Sequence, residues 1–254
     1  MDLGLQGRAV VVTGGSSGIG AAIARAFGAE GADVAVAYHR DRDSAEAVAA
    51  DVTKGGGRAI TVQHELAEPS SADALATAAL AEFGRIDVLV NNAVNWGSTT
   101  PNFGRRSEDV PVEEWLPVIR DNVEGTVRAT RAVLPAMRER GWGRLVHVSS
   151  DLAVNGMAGS TYYPAAKAAL HGMNRSLAWE LGPAGILTNV VMPGATLTDR
   201  MLVALPDHVR DHVVTLTPAG RLNTPEDVAA IVVFLGSAAN TAITGEAIKA
   251  SGGR

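Results

Sequence analysis

Runs of β-branched and small apolar residues recur along the chain, separated by Ala-rich stretches whose apolar positions fall at helical spacing. The apolar runs predict strands at 8–13, 33–38, 59–64, 86–91, 144–149, 186–192 and 246–250. The stretches between them predict helices at 18–30, 43–55, 70–83, 112–139, 162–181 and 225–237. Val10-Val11-Val12 and Val88-Leu89-Val90 are apolar at every position, the pattern of strands covered on both faces. Regular strand–helix alternation predicts an α/β fold, a doubly wound parallel sheet of about seven strands flanked by helices. No Pro/Ser linker or repeat interrupts the pattern, and Gly55-Gly56-Gly57 reads as a helix stop, so residues 1–254 are expected to form a single domain. Pro135 is expected to end or kink the helix at 112–139, and Pro117 suggests that this helix starts later.

Composition narrows the function classes. The 254 residues are 46% hydrophobic and carry a net charge of −5, which argues against a nucleic-acid partner. Cys is absent, which excludes disulfides, Cys-zinc sites and cysteine nucleophiles. No apolar run reaches the roughly 18 residues of a membrane span, and Met1-Asp2-Leu3-Gly4 opens no charged-then-apolar leader. A soluble, cytoplasmic protein with no membrane partner is expected. His208 and His212 share a helix face but lack the Glu of H-E-x-x-H, so no metal site is predicted. Trp96, Trp115, Trp142 and Trp179 suggest no stacking array.

The first strand runs into Thr13-Gly14-Gly15-Ser16-Ser17-Gly18-Ile19-Gly20, which opens the first helix. Glycines permit a tight turn and close backbone approach, and a helix N-terminus offers free N–H groups to phosphate. The strand–helix–strand context is that of a Rossmann-type dinucleotide site. No Lys-Ser/Thr follows the glycines, which disfavours a Walker-type nucleotide triphosphatase. A second cluster opens the helix at 162–181: in Tyr163-Pro164-Ala165-Ala166-Lys167, Tyr and Lys stand on one helix face. A phenol titrates near about 10, and a neighbouring ammonium lowers that value. The pair therefore suits proton transfer to a carbonyl oxygen. Tyr162 has Ala, not Lys, four residues on.

Together these segments resemble the short-chain dehydrogenase/reductase family, closest to its 3-oxoacyl-[acyl-carrier-protein] reductase-like subgroup. The glycine loop matches T-G-x-x-x-G-x-G, and Asn91-Asn92-Ala93 resembles N-N-A-G with Val94 in place of the final Gly. Asn122-Val123-Glu124-Gly125 matches N-x-x-G, and Ser150 precedes Tyr163 at the family spacing. Pro193-Gly194-Ala195-Thr196-Leu197-Thr198 resembles P-G-x-x-x-T, and 220–229 with 243–245 resemble the C-terminal signature. The resemblance implies that Tyr163 is the acid–base. Lys167 would lower its pKa and bind the nicotinamide ribose, Ser150 would orient the substrate oxygen, and Asn122 would hold a relay water. It further implies cofactor contacts at Gly14, Ser16, Ser17, Gly18, Ile19, Gly20, Asn92, Ala93, Tyr163, Lys167, Pro193, Gly194, Thr196 and Thr198. Glu65-Leu66 stands where the family commonly has Asp-Val beside adenine.

NADP(H) is expected in preference to NAD(H), because Tyr38-His39-Arg40 ends the second strand without an acid to accept the ribose 2′-OH. Arg40 offers a guanidinium fork to a 2′-phosphate, and His39 adds a donor. The leading function is an NADP-dependent carbonyl reductase of the 3-oxoacyl-thioester type, expected to be a homotetramer through the family's paired long helices. The alternative is a tailoring ketoreductase or alcohol dehydrogenase for a small secondary metabolite. The segment 94–110, with Trp96, Phe103, Arg105 and Arg106, is about six residues longer than in typical members and lies beside the predicted substrate opening. A non-catalytic nucleotide-binding regulator is ranked lowest, since such proteins lose the Tyr/Lys pair.

Overall fold

The structure is a computed structural model that describes residues 2–97 and 105–254. Its elements run β1 (Ala9–Val12), α1 (Gly18–Ala29), β2 (Asp33–Tyr38), α2 (Arg42–Lys54), β3 (Ala59–Gln63), α3 (Ser71–Phe83) and β4 (Val88–Asn91). They continue α4 (Val112–Arg140), β5 (Gly143–Val148), α5 (Leu152–Asn155), α6 (Tyr162–Leu181), β6 (Ile186–Pro193), α7 (Asp199–Ala204), α8 (Asp207–Thr215), α9 (Pro225–Gly236) and β7 (Ala247–Ala250). The seven strands form one sheet in the order β3-β2-β1-β4-β5-β6-β7, with every pairing parallel.

The uniformly apolar strands are explained by two cores. In β1, Val10 and Val12 join α1, α2 and α9 on one face, while Ala9 and Val11 join α3, α4 and the end of α6 on the other. Alternate side chains point to opposite faces, so a strand buried on both sides must be apolar throughout. The predicted fold class and order of long elements are those observed.

Pro117 does not delay the start of α4 and Pro135 does not end it. Both lie inside one helix of 29 residues. Each is exposed, as are Glu113 and Arg131 four residues earlier, whose carbonyls lose their helical partners to proline's missing N–H. Water satisfies carbonyls at such positions, and the continuous buried stripe Val118, Asn122, Ala129, Val133, Met137 holds the helix to the sheet. Two short helices, α5 and α7, were outside the sequence expectation, and α8 carries the His208/His212 face; none of the three buries a residue, so none has an apolar stripe to read.

A polar chain crosses the middle of this apolar sheet. Asn91 Nδ2 donates to His147 Nδ1 at 3.0 Å, and His147 Nε2 pairs with Thr188 Oγ1 at 3.2 Å. Thr188 Oγ1 donates to Asn174 Oδ1 at 2.8 Å, and Asn174 Nδ2 donates to Glu246 O at 3.2 Å. This pattern assigns the proton to Nε2 and leaves Nδ1 an acceptor, so the imidazole is neutral. Burial, with the Lys167 charge adding to it, pushes the His147 pKa down to about 4 from an ordinary 6.5. The folded state therefore binds fewer protons than the unfolded chain between those values. The resulting stability is fully present above pH 6.5 and is lost as pH falls towards 4. The loss amounts to roughly 3 kcal/mol at most. His147→Gln should flatten that part of the profile, leaving the smaller contributions of His64 and His171, which burial shifts in the same direction. Denaturant unfolding at pH 7 and pH 4.5 checks this; parallel losses in the two proteins would rule it out.

Candidate active site

The sheet order reverses between β1 and β4, and a crevice opens at the carboxyl ends of those strands. Thr13 closes its floor. Its hydroxyl donates to Val90 O at 3.2 Å and accepts from Asn92 N at 2.9 Å and Ala93 N at 3.0 Å. Asn92 Nδ2 returns two hydrogen bonds, to Thr13 O and Gly14 O, each at 3.0 Å. The glycine loop therefore lies on the Asn92-Ala93 segment. Gly14 and Gly18 have φ of 63° and 50°, and a Cβ on Gly20 would stand 2.1 Å from Gly14 O. Ser17 begins α1 without a side-chain cap, leaving first-turn N–H groups free for an anion. Ile19 packs inward against the core, and Ser16 is half-buried. A Cβ on Gly18 would meet Thr198 Cγ2 at 3.2 Å, so the P-G-x-x-x-T segment abuts the loop. Thr198 caps α7, while Thr196 Oγ1 donates to Gly194 O and Pro193 O accepts from Asp151 N. A tight backbone cradle and an uncapped helix N-terminus are the donor set that a dinucleotide pyrophosphate needs.

Tyr163, Ser150, Lys167 and Asn122 stand around the same edge. A hydrogen bond with Ser150 and the charge of Arg200 pull the Tyr163 pKa down, but burial outweighs them, helped by Asp151, and holds it well above the ordinary phenol value. Lys167 is absent from these influences: its Nζ donates to Val148 O at 2.9 Å and lies 6.0 Å from the Tyr163 ring centre. The expected lowering of the phenol pKa by Lys167 is therefore not seen in this geometry. Burial brings Lys167 itself down to about 8. Ser149, beside Ser150, donates to Lys167 O at 3.0 Å and ties the end of β5 to α6.

Asn122 is also hydrogen-bonded within the protein. Its amide donates to Asn95 O and Val118 O, both at 2.7 Å, and its Oδ1 accepts from Asn95 N at 3.1 Å. Both amide hydrogens are thus occupied, so a water at Asn122 would be held through an acceptor, the second lone pair of Oδ1. The Gly of this N-x-x-G segment, Gly125, lets Leu66 approach α4: a Cβ there would lie 2.6 Å from Leu66 Cδ2.

Two of the four tryptophans stack, each on its own tyrosine. Trp96 lies on Tyr163 with ring centres 4.6 Å apart, and Trp115 lies on Tyr162 at 5.2 Å. Tyr162 also donates to Ser107 O, which gives it a wall-forming place away from the Ser150 group. Arg105 forms a fork on Glu114 at 2.8 and 2.9 Å, so its charge is already matched. Phe103 lies outside the described residues. Sequence reasoning missed Asn95, Asp151 and Arg200. Arg200 follows Thr198 by two residues and Asp151 follows Ser150 directly, but neither belongs to a periodic pattern or motif that signals its place.

At the far end of the crevice, His39 and Glu65 face each other at 3.6 Å. Asp41 is turned away, its carboxylate capping α2 through Ser44 N and Ser44 Oγ. Arg42 pairs with Glu46 at 2.7 Å. Arg40 is exposed and has no carboxylate partner among the described residues. Those residues also contain no cluster of potential metal ligands and no helix long and apolar enough to cross a membrane.

A family model described as enoyl-(acyl carrier protein) reductase matches residues 14–254. The chain is 39% identical to an uncharacterised oxidoreductase of Methylorubrum extorquens, over 98% of each chain. It is 37% identical to the 3-oxoacyl-[acyl-carrier-protein] reductase of Escherichia coli, over 99% of this chain and 98% of the relative. A 7α-hydroxysteroid dehydrogenase, solved with NADH and 7-oxo glycochenodeoxycholic acid, superposes with a TM-score of 0.90 at 30% identity, covering 99% of this chain and 96% of the other. Agreement at this level along nearly the whole length makes the chain a member of the short-chain dehydrogenase/reductase family, an oxidoreductase dependent on a nicotinamide cofactor.

Proposed function

We propose that the protein, acting as one domain over residues 1–254, reduces a ketone to a secondary alcohol with NADP(H), in the manner of 3-oxoacyl-thioester reductases. The observation that carries the reading is the contact of Ser150 with a Tyr163 that burial keeps protonated, at the edge where the glycine loop ends. A nicotinamide held here would supply hydride for the carbonyl carbon. Gly14, Ser16, Ser17, Gly18, Ile19 and Gly20 cradle the cofactor phosphates, with Asn92, Ala93, Pro193, Gly194, Thr196 and Thr198 beside them. Glu65 and Leu66 lie towards the adenine end.

Tyr163 gives its phenolic proton to the carbonyl oxygen. A phenol that titrates high remains a proton donor throughout the neutral range. Ser150 fixes the oxygen by hydrogen bonding. Lys167, nearly buried, brings a positive charge next to the site below about pH 8 and can turn from Val148 O to a ribose hydroxyl. Asn122 holds a water of the proton relay through Oδ1 and fixes Asn95 with its amide. The small-metabolite reading gains from the aromatic lining beside Tyr163, which is unlike a channel for an aliphatic chain. Chain assembly as a homotetramer is part of the proposal. Trp179, on the long helix α6, is 79% exposed, an apolar surface suited to a subunit contact.

Tyr163→Phe should lower turnover of an accepted ketone by about 10²–10⁴-fold while cofactor affinity stays close to wild type. Steady-state rates and a cofactor titration decide this, and near-normal turnover would remove Tyr163 from the acid role. Arg40 should give NADPH roughly a tenfold advantage over NADH, equivalent to about 1.4 kcal/mol. Arg40→Ala should erase it; equal dissociation constants in the wild type would refute the argument. Light scattering should give four times the 26.2 kDa chain mass, and a monomer at micromolar concentration would count against the assembly.

A further inference from the structure

We propose that the site takes an aromatic ketone, its planar ring seated against Trp96 and its outer end facing the Trp115–Tyr162 stack. This rests on the ketone-reductase reading and names the substrate class for the same site.

Aromatic residues are only 4% of the chain, yet two of its four Trp and two of its three Tyr line one opening. They are Trp96, Trp115, Tyr162 and Tyr163; the aliphatic side chains described there are Val110 and Val118 alone. A long acyl chain is best matched by Leu, Ile and Met, whereas flat rings present the faces that another flat ring stacks upon. The Trp96 ring is already parallel to within 24° of Tyr163, the proposed proton donor, and is 38% exposed. Tyr163 covers one face of Trp96 and Arg200 lies over the ring, so an incoming ring meets the exposed edge of Trp96 edge-to-face, which stands it beside the phenol with its adjoining carbonyl towards the hydroxyl.

Two further contacts make Trp96 a fixed platform. The preceding residue, Asn95, is held from both sides: its backbone by Asn122 and its side-chain amide by Asp121 at 2.7 Å. Arg200 lies over the Trp96 ring at 4.9 Å and has no carboxylate partner among the described residues. The remaining segment, 98–104, contains no Asp or Glu to pair with it. A guanidinium without a counter-ion beside the opening favours electron-rich π faces over saturated chains.

The test compares ethyl benzoylacetate with ethyl 3-cyclohexyl-3-oxopropanoate, which differ in ring planarity at the same ketone. Calorimetry on the protein saturated with oxidised cofactor measures binding without turnover. The aryl ketone should bind about three- to tenfold tighter. Trp96→Leu should remove the difference and Trp96→Phe should retain most of it. Equal binding, tighter binding of the cyclohexyl compound, no binding of either, or a preference that survives Trp96→Leu would each overturn the proposal. Oxidation of reduced cofactor by the two ketones is followed separately. Equal turnover and equal binding would leave the reductase reading standing and sink the aromatic seat. Tighter aryl binding without oxidation by either compound would keep the seat and sink the reductase reading.

Discussion

The hydroxyl of Thr13 bridges two strands that are parting. β1 and β4 lead to helices on opposite faces of the sheet, so their carboxyl ends diverge and their last backbone groups lose ladder partners. Thr13 and Asn92 supply those partners through one hydroxyl and one amide. Because both residues are tied to backbone, the glycine loop and the start of the 94–97 segment keep a fixed relation. Every other part of the crevice is placed relative to one or the other. The Gly18 turn meets Thr198 on one side, and Asn95 meets Asn122 on the other. A buried side chain with all its hydrogen-bonding groups satisfied gives more positional definition than an apolar contact, since displacing it leaves several polar groups unpaired.

The same low-polarity interior sets the protonation of the groups it encloses. Burial opposes charge, so it raises Tyr163, lowers Lys167 and lowers His147. These shifts leave the phenol as an acid, the lysine near its titration point, and the imidazole as a neutral link in a structural chain. His147 and Lys167 reinforce one another: a second positive charge beside Lys167 is unfavourable, so the neutral imidazole helps α6 carry an ammonium at the end of β5. The polar chain from Asn91 to Glu246 is thus part of the support under the site as well as of the sheet.

Much of this was legible in the sequence because it rests on strong local signals. β2 and α6 have the bounds expected for them, since an uninterrupted apolar run and a Tyr-to-Leu amphipathic stretch have clear ends. The expected gathering of Gly14, Asn92 and Thr198 was legible too, because strand-to-helix turns in a parallel sheet share one edge. What escaped was decided by tertiary context. Pro135 looks like a break until α4 is seen to turn it outward. Asn122 looks like a free amide until Asn95 is seen to occupy it. Trp96 and Tyr163 are far apart in sequence, and the contact between them depends on how the 94–97 segment leaves β4, which no periodicity encodes.

That departure separates the groups of the proposed chemistry from the proposed substrate seat. Tyr163, Ser150 and Lys167 hang from β5 and α6, whose register is set by the sheet ladder and by Ser149. Trp96 directly follows Asn95, which is attached to α4 through hydrogen bonds with the side chains of Asn122 and Asp121. Replacing Trp96 changes the surface next to the phenol without altering any strand pairing or the Thr13 clamp. A residue one position beyond a pinned backbone is rigid enough to select a substrate and peripheral enough to vary. The hydrogen-bonded anchoring to α4 therefore falls on Asn95, while Trp96, one residue on, touches the phenol ring and takes part in no strand pairing.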